Sequence, residues 1–244
     1  MTFPAGIVSS ARVAPAGGYT HPNLKGHWDA STLAGTAGTA ISTWTDLTGT
    51  ADMTQGTTSA RPTVQPATLN GLTVARFDAT DDYMASAPRV TSNQTLALVR
   101  KVTGTGTSVQ MWNGNLADLG AGTTHGGGPI IISSNRALYV RGVGIPSDGA
   151  HVPSAWERWI IRMGVGINSL HVNGTQVISA VTTMNPVTLS NGVSRLGGSD
   201  NGGGSTPEFV SGGMDLAQAM IFDAVLDTTE VATLDAHLKT KWGL

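Results

Sequence analysis

The sequence predicts an all-β, antiparallel sandwich with one short C-terminal helix. Three observations carry this expectation. Short apolar runs with a period of two recur between clusters of Gly, Pro, Asn and Asp. Asn-Gly pairs at 70–71 and 173–174 stand between extended segments, and that dipeptide supplies the positive φ angles of a tight hairpin turn. Helical spacing is convincing only from Asp227 onward, so the chain lacks the strand–helix alternation of a parallel sheet.

The elements follow in order. Residues 1–22 hold Pro4, Pro15, Pro22 and Gly17-Gly18 and read as an extended arm, with Phe3, Ile7 and Val8 as anchors for a partner. Trp28 and Trp44 sit in short extended segments and read as core residues rather than sugar platforms. Asp46-Leu47-Thr48-Gly49 is a turn, because Asp bonds its own backbone two residues on. Residues 50–66 read as irregular. Leu72 to Asp78 is a strand, and Asp81-Asp82 closes it in a turn. Gln94 to Val102 carries Leu96 and Leu98 on one face and Ala97 and Val99 on the other, which implies burial on both.

Residues 103–128 are Gly-rich and loop-like; Ile130 to Ile132 and Ala137 to Arg141 are strands. From Glu157 to Val165, Trp159, Ile161, Met163 and Val165 share one face, while Trp156, Arg158 and Arg162 share the other. That pattern predicts an antiparallel sheet with a solvated side. The segments around Asn173-Gly174 form a hairpin, and Val193 to Leu196 is a strand ending at Gly197-Gly198. Met214 to Phe222 alternates, with Met214, Leu216, Met220 and Phe222 placed on one face. In the helix, Asp227 is the N-cap and Glu230 completes a capping box. Val231, Leu234, Leu238 and Trp242 make its apolar stripe, and Lys239 and Lys241 favour its C-terminal dipole end.

Composition narrows the function. Only 12% of the 244 residues are charged and the net charge is -2, which argues against a nucleic-acid partner. There is no Cys, so neither disulfides nor thiolate metal sites can form. No apolar run reaches the ~18 residues that span a bilayer, and the N-terminus lacks the basic and apolar regions of a secretory signal. The expectation is a chain made in a cytoplasm.

Several pieces carry a resemblance: Trp28-Asp29-Ala30, Trp44-Thr45-Asp46-Leu47-Thr48-Gly49, Ala60-Arg61-Pro62, Asn70-Gly71 through Arg76-Phe77-Asp78, and Asp81-Asp82-Tyr83. Leu170 to Gly174, Ser194 to Gly198, Ile221-Phe222-Asp223 and the Lys239 to Gly243 ending follow in the same order. Together they resemble the laminin-G-like jelly roll of the concanavalin A-like lectin and glucanase superfamily. The resemblance covers about residues 26–244, and the domain is set at 23–244 beyond the arm. It implies a jelly-roll sandwich, and it implies the settings in which such modules occur, minor tail and adhesion proteins of phage virions among them.

The glucanase branch of that superfamily carries Glu-x-Asp-x-x-Glu on one strand. This chain has three Glu, at 157, 208 and 230, none near another, whereas retaining hydrolysis needs two carboxyls about 5 Å apart. No catalytic residue is assigned and the chain reads as a non-enzyme. The six His, at 21, 27, 125, 151, 171 and 237, have no zinc-ligand spacing. No cofactor is expected, with calcium the one metal kept open: Asp82, Asp200 and Asn201 offer the hard oxygens it takes. For carbohydrate, Trp112 with Asn113 and His125 is the first candidate and Trp156 the second, since a sugar stacks on an aromatic plate with polar neighbours. The sequence thus points to a structural or adhesion protein of a virion. The arm would dock it to other virion proteins and the sandwich would meet a host-surface glycan; a soluble lectin module is the alternative and a glycan-cleaving enzyme the third reading.

Overall fold

The computed structural model describes residues 18–87, 93–102, 111–114, 129–132, 137–140, 143–145, 154–164, 166–180, 193–198 and 213–244. Within them the chain forms β1 (Leu24–Asp29), β2 (Thr43–Trp44), β3 (Met53–Thr54), β4 (Thr63–Leu69), β5 (Leu72–Phe77), β6 (Met84–Ser86), β7 (Gln94–Val102) and β8 (Met111–Gly114). Then come β9 (Pro129–Ile132), β10 (Ala137–Val140), β11 (Val143–Ile145), β12 (Glu157–Gly164), β13 (Ile167–Val172), β14 (Thr175–Ala180), β15 (Val193–Leu196), β16 (Met214–Phe222) and the helix α1 (Thr228–Trp242).

An eight-stranded sheet runs β14-β13-β12-β7-β16-β5-β4, with β1 also paired to β16. A five-stranded sheet runs β2-β3-β6-β15-β8, and β9, β10 and β11 form a third, three-stranded one. The pairings that join these strands are antiparallel. Trp44, Met53, Met84 and Leu196 of the five-stranded sheet meet Leu96, Leu98, Trp159, Ile161 and Ile221 of the eight-stranded one in a first core. Trp28 and Trp44 are fully buried there, as the sequence suggested. A second core lies on the other face of the large sheet, where Val231, Leu234, Leu238 and Trp242 of α1 cover Ala97, Val99, Ile160, Met220 and Phe222.

That second core corrects the expectation for β12. The segment is buried along both faces, and Arg158 and Arg162 are 5% and 9% exposed rather than solvated. Arg158 faces the helix and grips Asp235 through two hydrogen bonds of 2.9 and 3.1 Å. The face reading of β16 also changes. The register to β7 slips between Leu216 and Gln218, and a bulge inverts the alternation beyond it. Met214 and Leu216 therefore share the first core with Ala219 and Ile221, while Met220 and Phe222 point to the helix.

Residues 50–66, read as irregular, contain β3 and the start of β4. Pro66 is tolerated because β4 is an edge strand, and the register to β5 slips after Gln65. Both Asn-Gly turns form as expected, with φ of 49° and 70° at 70–71 and 51° and 84° at 173–174. Two residues of the expected arm belong to the domain. Tyr19 packs edge-on to Phe222 at 6.1 Å and His21 sits 3.0 Å from the Glu230 carboxylate. Phe3, Ile7 and Val8 lie outside the described residues.

The helix closes on a buried polar chain. Asp227 and Glu230 make the reciprocal capping box, and Gly243 takes φ 68° at the C-terminal end. Trp242 Nε1 donates to Gln218 Oε1 at 2.7 Å, and Gln218 Nε2 donates to His27 Nε2 at 2.8 Å. An imidazole that accepts at Nε2 is neutral. Burial pushes His27 down to about 4, against the pull of Asp29. Lys241 reaches Asp29 on β1. Among the described residues no helix is long and apolar enough to cross a membrane.

Candidate functional site

The five-stranded sheet has two edges, and each carries a candidate. At the β2 edge the loop 33–42 is held against β4: Gly38 N–H donates to Val64 O, Val64 N–H to Thr39 O, and Ile41 N–H to Pro62 O, at 2.8–3.0 Å. Ile41 and Val64 are buried beneath it. The result is a recess of about 230 Å³ lined by Leu33, Ala34, Ala40 and five hydroxyl-bearing residues, Thr32, Thr39, Ser42, Thr43 and Thr45. The Thr32 hydroxyl donates to Asp29 O at the end of β1, and the Thr39 hydroxyl accepts from Thr36 N–H within the loop. Ser42, Thr43 and Thr45 are exposed. No ionisable side chain lines the recess. A lining of neutral residues, half of them bearing hydroxyls, suits a neutral polyhydroxy ligand and cannot supply general acid–base chemistry.

At the opposite edge lies β8, with Trp112 paired to Arg195 and Asn113 to Ser194 of β15. The side chains of β8 and all of His125 lie outside the described residues. Arg195 stacks on Tyr83, 5.5 Å from the ring centre, and Tyr83 is an aromatic that the sequence reading passed over. Trp156 belongs to a different layer. It packs against the helix-side core, with Lys101 Nζ 5.2 Å from its ring centre. The structure therefore does not bring Trp112 and Trp156 together. Lys101 also bonds Asp215 at 2.9 Å, and Arg76 holds the same carboxylate with bonds of 2.7 and 3.0 Å. Burial alone would raise Asp215, but these cations hold it below the usual carboxylate range.

The turn after β5 brings together a third group. Carboxylate oxygens of Asp78, Asp81 and Asp82 converge within 4.8 Å. Asp78 Oδ1 accepts from the N–H of Thr80 and Asp81, and Asp82 Oδ2 accepts from Asp78 N–H at 2.7 Å. Gly197, at φ 78°, leaves the room this turn needs, since a Cβ there would stand 2.8 Å from Asp82 O and 2.4 Å from the Phe77 ring. These are hard oxygen donors of the calcium-binding kind, two of them engaged in shaping the turn. Asp200 and Asn201 lie outside the described residues.

Burial, together with Asp78 and Asp81, pushes Asp82 up to about 6. The folded state thus resists its ionisation. Asp82→Asn is expected to stabilise the protein by about 2 kcal/mol at pH 7 and by almost nothing below about pH 4. His27 acts in the opposite sense, because its depressed value makes stability fall as pH drops from ~6.5 toward ~4. The two slopes nearly cancel in the wild type. Urea unfolding across pH 4–7 should therefore show a steeper acid loss in the Asp82→Asn variant; an unchanged profile would refute the charge strain.

Solved structures share this architecture. The sialidase of Trypanosoma rangeli in complex with 2,3-difluorosialic acid superposes with a TM-score of 0.59 and 13% identity, over 91% of this chain and 34% of the sialidase. The sialidase in complex with sialic acid gives 0.56 and 14%, over 91% and 33%. The binding domain of Paraclostridial Mosquitocidal Protein 1 gives 0.57 and 14%, over 87% of this chain and 52% of that domain. The chain is an antiparallel jelly-roll sandwich. At such identities the likeness is one of fold, and the chain spans about a third to a half of these proteins' lengths. No protein family profile matches the sequence, and no curated protein does.

Proposed function

We propose that this chain is a non-catalytic carbohydrate-binding module that takes a neutral sugar unit in the recess at the β2 edge. The observation that carries the reading is the lining itself: three exposed hydroxyl-bearing residues, Ser42, Thr43 and Thr45, on an uncharged recess of about 230 Å³. The fold supports it, since solved proteins of this architecture include one named as a binding domain and one crystallised with sialic acid. Two of the three glutamates are taken up by structural contacts. Glu157 is locked to Arg100 at 2.9 Å and Glu230 caps the helix.

Glycan-array binding followed by calorimetry tests the reading. The triple change Ser42→Ala, Thr43→Ala, Thr45→Ala should weaken the selected glycan about 100-fold, as three hydrogen bonds of roughly 1 kcal/mol each imply. Trp112→Ala should leave it intact if the recess is the site. The reverse pattern would move the site to the β8 edge, and no binding to any glycan would remove the module reading. The finer proposal places the module on a phage virion, docked through residues 1–22, with a host glycan as its target. Its support is the charge-poor composition and the laminin-G-like motifs. Co-sedimentation with particles, lost on deleting residues 1–17, is the expected result.

A further inference from the structure

We propose that the outer face of the eight-stranded sheet carries an oxyanion site anchored on Arg162 and flanked by Ser169 and His171, which takes a carboxylate or sulfate group borne on a glycan. The carrier rests on the carbohydrate reading above; the anion does not. It rests on a guanidinium that is buried with no counter-charge among the described residues. Arg162 is 9% exposed, and its Nε is sealed from solvent with no hydrogen-bond partner. Among the described residues no carboxylate pairs with it. Asp235, the acid that α1 presents to this face, is already gripped by Arg158 with two bonds.

The neighbours suit an anion. Ser169 stands opposite Arg162 in the register of β12 and β13, and His171 stands opposite Ile160, between Arg162 and Arg158. Ser169 Oγ lies 3.4 Å from His171 Nε2. Both side chains are buried, at 2% and 7% exposure. Burial and the Arg162 charge hold His171 below its ordinary value, so it is neutral at pH 7 and keeps one N–H to donate. A guanidinium cannot shed its proton and is strongly disfavoured when buried unpaired. Its planar fork matches the two oxygens of a carboxylate or sulfate. The same strand supplies the internal comparison. Arg158, four residues earlier on that face, has its carboxylate supplied by the helix, and Arg162 has none among the described residues.

Thermal unfolding of the full chain tests the site, with millimolar glucuronate or sulfate set against glucose and sodium chloride at matched ionic strength. The expected result is a saturable rise in Tm with either anion and none with the controls, since a ligand that binds only the folded state stabilises it. Arg162→Met keeps the volume and removes the unpaired charge. It should fold, melt about 2–4 °C higher than wild type, and lose the anion response. A wild type that ignores both anions, or an Arg162→Met variant that responds as wild type does, overturns the site. Neutral-glycan binding without an anion response leaves the recess standing and removes only Arg162. An anion response that Arg162→Met abolishes, without neutral-glycan binding, does the reverse.

Discussion

Glu157→Gln is expected to lower the unfolding free energy by about 3–5 kcal/mol. Glu157 opposes Arg100 directly across β12 and β7, and both point between the two sheets. Arg100 is 0% exposed and Glu157 is 2% exposed. Their contact is 2.9 Å, Trp159 Nε1 donates to the same Glu157 oxygen at 2.9 Å, and the guanidinium stacks 4.0 Å from the Trp159 ring centre. A neutral amide removes the carboxylate that offsets the Arg100 charge, in a medium that solvates that charge poorly. Removing both charges is a different experiment. Arg100→Met with Glu157→Leu should recover part of that loss, because the pair's desolvation cost disappears with its attraction, while the Trp159 N–H left without its carboxylate acceptor keeps about 1–3 kcal/mol of it. Urea unfolding of the two variants decides the matter. A single variant as stable as wild type would mean that water reaches the pair.

Trp242→Ala is expected to cost about 4–5 kcal/mol, near the top of the range for aromatic truncation in a core. The indole is fully buried among Leu234, Leu238 and Phe222 on the helix side. Its loss opens a cavity and also orphans Gln218 Oε1, whose other end holds His27. Trp242→Phe separates the two effects. It fills most of the space and should cost about 1–3 kcal/mol, the penalty for one buried acceptor left unpaired. Denaturation midpoints of both variants, with the slope unchanged, check the values. Equal losses for Ala and Phe would assign the whole effect to the hydrogen bond.

The fold was legible where local chemistry suffices. Asp227, Glu230 and Gly243 bracket the helix because capping depends on neighbours three residues apart. Asn70-Gly71 and Asn173-Gly174 turn because their own backbone permits positive φ. What the sequence hid depends on partners far along the chain. Arg158 and Arg162 alternate as a solvated face would, and only the packing of α1 shows that face to be covered. The inversion within β16 needed its register to β7, since a bulge leaves no mark in the residue types. The recess was hidden for the same reason. Its wall comes from β2, the loop before it and β4, and its hydroxyl residues look like ordinary loop composition until Ala40 and Thr63 pair.

Strand β16 pairs with β7 along its length, with β5 at its start and with β1 at its end, so it is the seam of the whole layer. His27 and Gln218, bonded across that seam, are 191 residues apart. A ribosome would release β1, β5 and β7 well before their common neighbour emerges. Until then both faces of the nascent sheet and its open edges are exposed, which favours slow, cooperative closure late in synthesis and makes chaperone protection during that interval valuable.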